Sequence, residues 1–170
     1  MILFQSSDFR DRSTEFLGRW VHERKFDVGM LGQFEVALVT EAKERVFDRE
    51  MLELASRLVD FAERSETIVR DLLFADYRDV LERNPSWLDF CGVPRDLTIH
   101  SFLAHLRPSR WLRVSRDPAA SQKHSCEVHL IPLWDTEDAF RLEVLNGRLV
   151  DVNGSSAKLR ALEASIKEWS

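Results

Sequence analysis

The densest run of chemistry-bearing side chains is Trp134-Asp135-Thr136-Glu137-Asp138, with three carboxylates within four positions beside an indole. Acids that close together could bind a divalent cation, pair with a basic protein or, if one of them lost its water, transfer a proton. Calcium loops of the EF-hand type need ligands at alternate positions around a central glycine, and this stretch has neither. The simplest reading is a solvated acidic turn in which Asp135 or Thr136 bonds its own backbone. Among functional readings, a contact for a partner protein through Trp134, Asp135, Glu137 and Asp138 comes first, ahead of a metal site and of a carboxylate-based hydrolase.

A second run, Arg107, Arg110, Trp111, Arg113 and Arg116, gathers four guanidiniums and an indole within ten residues. Such a set could track a phosphate backbone and stack one base, as binders of single-stranded nucleic acid do. On a strand, however, Arg110 and Arg116 point to one side and Arg113 to the other, which divides the patch. A solvated edge strand guarded by charge accounts for the run more simply.

The histidines form no ligand set by spacing. His124 and Cys126 would share one face of a strand while His129 takes the other, and His100 and His105 are about 140° apart around a helix. No serine or cysteine sits in a nucleophile-elbow context, and the glycines do not form a phosphate cradle. No catalytic residue, metal site or cofactor is therefore assigned.

The elements that must position these residues follow from periodicity. Gln33–Thr40 alternates, with Phe34, Val36 and Leu38 on one face, and Phe16–Phe26 is a weaker strand candidate. At Asp48 the period lengthens to that of a helix, with Asp48 as its cap. A second helix spans about Ser65 to Arg83, its apolar face interrupted by Asp76. Pro85, Gly92 and Pro94 break helicity, and a third helix is predicted over Asp96 to Arg107, stopping before Pro108. Alternation then returns. Asn146-Gly147 signals a two-residue hairpin that pairs Val144 with Leu149 and Leu142 with Asp151. A last helix through Leu159, Leu162 and Ile166 is capped by Ser155 or Ser156. Strands, then helices, then strands give a single α+β domain over residues 1–170: an antiparallel sheet of five to six strands with two to three helices on one face.

Bulk properties agree with a packed domain. The chain has 170 residues, 44% of them hydrophobic, with five Trp and eleven Phe, a composition unlike that of disordered chains. Its net charge of -5 gives no general attraction to nucleic acid or anionic membranes. The first residues carry neither a secretion signal nor a membrane span, so a cytoplasmic location is expected, with Cys91 and Cys126 as free thiols.

The closing segment resembles a set of bacterial domains of unknown function often met beside polymorphic-toxin immunity genes. Those domains end with a strand, a W-D-x-E-H-G-like knot, a second strand, a D-G or N-G turn and a third strand. Trp134, Asp135 and Glu137, then Asn146-Gly147 and "RLVDV", carry the likeness. Asp138 and Ala139 stand where those domains usually have histidine and glycine, so no role of that histidine carries over. The resemblance implies an α+β fold and a bacterial, cytosolic, non-enzymatic protein with a protein partner, possible immunity-type inhibition included.

Overall fold

The computed structural model describes residues 1–117, 123–135 and 139–169. Three short segments open the chain: β1 (Phe9–Asp11), β2 (Leu17–His22) and β3 (Phe26–Asp27). They lead into the long strand β4 (Gln33–Glu41), in which Phe34, Val36 and Leu38 are fully buried, as the alternation predicts.

Helix α1 (Arg49–Arg64) starts where Asp48 turns its carboxylate back on the first turn, Oδ1 accepting the Met51 N–H at 2.9 Å. That bond satisfies one of the orphan donors of a helix start. Helix α2 (Glu66–Arg83) follows after Ser65. The next segment departs from the sequence reading. Helix α2 ends at Arg83 and Asn84 is non-helical, as the expected break requires, but Pro85 then opens a further helix, α3 (Pro85–Phe90), a position where its missing N–H costs nothing because that donor would be unpaired anyway.

The helix expected over Asp96 to Arg107 is absent. Only a 3-10 turn at Phe102–His105 forms there. Thr98 and Ser101 explain the loss: Ser101 Oγ accepts the Thr98 N–H at 2.9 Å and also contacts the Thr98 hydroxyl at 3.2 Å. Such local bonds offer the backbone an alternative to the helical ladder.

Strands β5 (Trp111–Arg116), β6 (His124–Leu130), β7 (Phe140–Leu145) and β8 (Arg148–Val152) complete the sheet, and α4 (Ser156–Trp169) closes the chain, with Ser155 Oγ accepting the Lys158 N–H at 3.1 Å. The eight strands run β1-β2-β4-β5-β6-β7-β8, with β3 paired to β4 at the side. The α+β class and the mostly antiparallel sheet match expectation. The counts do not: there are eight strands and four α-helices among the described residues. One pair, β4 with β5, is parallel, because the helical block carries the chain back before the sheet resumes.

The Asn146-Gly147 hairpin forms as predicted, both residues at positive φ (50° and 72°), the requirement of a type I′ turn. Val144 pairs with Leu149, but Leu142 meets Val152 instead of Asp151, because a bulge after Glu143 skips Val150. The extra residue turns Val152 inward, where it is fully buried, and brings Asp151 opposite Glu143.

The two faces of the sheet differ. Leu112, Val114, Val128, Leu130 and Leu142 are fully buried on the face that α1 and α4 cover. Trp111, Arg113, Glu127, His129, Arg141 and Glu143 alternate with them onto the opposite face, which no helix among the described residues covers, although His129 there is only 9% exposed.

Candidate functional site

The acidic run at the β6–β7 corner divides. Trp134 is only 1% exposed and offers no surface to a partner. Its indole N–H donates to Asp76 Oδ2 at 3.0 Å, and Lys158 Nζ lies 2.9 Å from Asp76 Oδ1. The Trp87 indole donates to the Trp134 carbonyl at 2.7 Å, and the Tyr77 ring packs edge-on at 5.5 Å. Trp134 thus ties the corner to α2, α3 and α4. Asp76, the interruption in the apolar face of α2, is its partner. Asp135 is half-buried, and its backbone N–H donates to the Pro132 carbonyl at 3.2 Å. Its charge, with burial as the larger cause, raises the Cys91 thiol. Glu137 and Asp138 lie outside the described residues.

The arginine run is dispersed. Arg107 is exposed, whereas the Arg110 guanidinium donates to the Leu31 carbonyl and sits against Gly32. Arg116 is 17% exposed and pairs with Glu44 and Asp48, each at 3.0 Å. Only Trp111 and Arg113 reach the uncovered face, and the Arg19 guanidinium covers one side of the Trp111 ring at 4.2 Å. An indole covered by a cation has lost one of the faces a nucleic-acid base would stack on.

A cluster that sequence spacing does not show joins the start of α1 to the start of β6. Asp48, Glu50 and His124 place one ligand atom each within 4.8 Å of one another. Positive charge is already present there: Lys123 Nζ lies 3.6 Å from Glu50, and Arg116 occupies Asp48 Oδ2. The positive end of α1 adds to it. A divalent cation would have to displace these groups, so the cluster acts as an ion-pair clamp. Burial works against the Asp48 carboxylate, but the Met51 N–H, Arg116 and the neighbouring His124 and Lys123 hold its carboxyl below the usual range.

The strongest candidate surface is the uncovered face itself. Cross-strand register places Arg113, Glu127, Glu143 and Asp151 in one row over four adjacent strands. Burial disfavours the Glu127 carboxylate, yet the His129 ring nitrogen at 2.8 Å, with Arg113 and Arg141 nearby, holds it ionised below the usual range. Glu143 behaves oppositely. A hydrogen bond to Asp151, then burial, then the charges of Asp151 and Glu127 push its carboxyl up to about 7. The proximity is the cause: with Asp151 beside it, the Glu143 carboxyl keeps its proton to higher pH than an ordinary glutamate. Chemically the row can accept a cation or exchange a proton. The sequence shows these acids only as alternate strand residues; their contact needs the bulge in β8.

At the other end of the same face the sign reverses. Arg10, Arg12 and Arg19 surround a cavity of ≈ 660 Å³ with Trp111, Glu23 and Glu35. Arg10 pairs with Glu23 at 2.6 Å. The uncovered face is thus polarised, acidic over β6 to β8 and richer in arginine over β1 and β2.

No family model, curated protein or solved structure matches this chain, so what its surface does is argued from its own geometry.

Proposed function

We propose that this chain is a non-enzymatic protein-binding module that receives a basic partner on the acidic part of its uncovered sheet face. The observation that carries the reading is the row Glu127–Glu143–Asp151, set in register on β6, β7 and β8 and covered by no helix among the described residues. An approaching lysine or arginine would favour ionisation of the Glu143 carboxyl and form a charge-assisted contact with the row. The resemblance of the closing strands to bacterial domains met beside toxin immunity genes supports an immunity-type inhibitor with a basic toxin as partner. Asp135 at the corner, with Glu137 and Asp138 close to it in sequence, is proposed as a second acidic contact.

Affinity capture from the native host tests it. The wild-type chain is expected to retain a basic protein that the Glu143→Lys/Asp151→Lys variant loses, with circular dichroism confirming that the variant is folded. A separate Asp135→Lys variant measures the corner's share. Retention of the same partner by all three proteins would overturn the proposed surface.

A further inference from the structure

Between α1 and the β7–β8 turn lies a cavity of ≈ 390 Å³, on the helical side of the sheet and away from the proposed docking face. Its lining is sorted by chemistry. Leu54, Leu58 and Phe61 of α1 face Val144 and Leu145 of β7 across it. Cys126 and His124 of β6 also line it. Burial, with smaller contributions from Glu143 and Glu127, pushes the Cys126 thiol up to about 11, so that sulfur is an uncharged, weakly polar surface at neutral pH. The His124 side chain is 5% exposed, and its Nε2 makes no hydrogen bond but lies 3.6 Å from Asp48 Oδ2.

Positive charge is added by Arg57 and Arg64, both exposed and two turns apart on one side of α1. The Arg64 Nε–H donates to the Asp60 carbonyl at 3.2 Å, and among the described residues no ion pair engages either guanidinium. The contrast on the same helix is Arg49, which pairs with Glu53 at 3.1 Å.

We infer that this cavity is a binding site for a small amphipathic carboxylate, its apolar tail against the partly exposed Leu54, Leu145 and Cys126 and its head between Arg57 and Arg64. Inorganic phosphate would leave the apolar walls wet, and a neutral alcohol would leave the guanidiniums without a counter-charge; only a molecule with both parts satisfies the lining. The volume lies within the range of small-molecule sites. The inference is independent of the protein-binding proposal.

Decanoate is the probe, titrated calorimetrically into the full chain below its micellar concentration, with decanol and acetate in parallel. The expected result is one-to-one binding of decanoate, at least about tenfold weaker binding of decanol, and a similar loss for decanoate in the Arg57→Gln/Arg64→Gln variant. Both substitutions are at exposed positions, and circular dichroism checks the fold. Alkylation by N-ethylmaleimide supplies a site-resolved readout: bound decanoate slows labelling of Cys126 and leaves Cys91 unchanged. No decanoate binding, equal affinity for decanol, equal affinity in the double variant, or no selective protection of Cys126 would each overturn the inference.

Discussion

Replacing Glu143 with glutamine removes a titration that links stability to pH. In the native chain the Glu143 carboxyl is raised from its ordinary 4.5 to about 7, chiefly by its hydrogen bond with Asp151. The folded state therefore binds more protons than the unfolded state between those values. The pair's contribution is complete below about pH 4.5 and is lost as the pH rises through about 7. At about 1.4 kcal/mol for each tenfold change in proton affinity, the ceiling is about 3–4 kcal/mol. Glu143 is only partly shielded on an uncovered face, so solvent screening reduces this to about 1–2 kcal/mol. Glu143→Gln keeps a donor for Asp151 and lacks the charge. Urea unfolding followed by tryptophan fluorescence is expected to give equal stabilities at pH 5 and a variant about 1–2 kcal/mol more stable at pH 8. His22, whose burial lowers its affinity for protons, contributes to both proteins and drops out of the difference. Parallel stability curves from pH 5 to 8, or a variant less stable at pH 8, would refute the raised Glu143 carboxyl.

Three other substitutions test the scaffold. Asp76→Ala strips the buried partner from Trp134 and Lys158 and is expected to cost about 2–4 kcal/mol in urea unfolding, a loss under about 1 kcal/mol contradicting the anchoring role. Asp48→Ala removes the α1 cap and a partner of Arg116, and should cost about 1–2 kcal/mol, whereas Glu50→Ala should change stability by less than about 0.5 kcal/mol; equal losses in thermal unfolding would contradict the assignment. Gly32→Ala forces a side chain onto a φ of +78° and against the Arg110 guanidinium, so a loss of at least about 1 kcal/mol is expected in the same assay.

Much of the architecture was legible because it depends on local pattern. The alternation of Phe34, Val36 and Leu38, the Asp48 cap and the Asn146-Gly147 turn each declare themselves within a few residues. Strands β1 and β3, with three and two residues, are too short to display a period and form only because β2 and β4 offer them edges. Pro85 looks like a helix breaker until its position in the first turn of α3 is known. The parallel pairing of β4 with β5 joins segments about seventy residues apart, and no local signal carries it.

Legibility of the candidate surfaces followed the same division. Trp134 was visible as part of an unusual run, but its partner Asp76 is 58 positions away, so burial could not be read from the run. Glu127 and Glu143 were visible as outward strand residues. The hairpin turn by itself would have set Asp151 opposite Leu142; one bulged residue changes its partner to Glu143 and creates the acid pair.

The uncovered face as docking surface is tested most directly by hydroxyl-radical footprinting of the chain with its captured partner. Trp111, on β5 beside the acidic strand β6 and paired with His129, and Phe90 on α3, which is 77% exposed, provide two oxidisable reporters, one bordering the acidic row and one away from it. The account predicts that partner binding slows oxidation of Trp111 and leaves Phe90 unchanged. Protection of Phe90 with Trp111 oxidised at its free rate would contradict it.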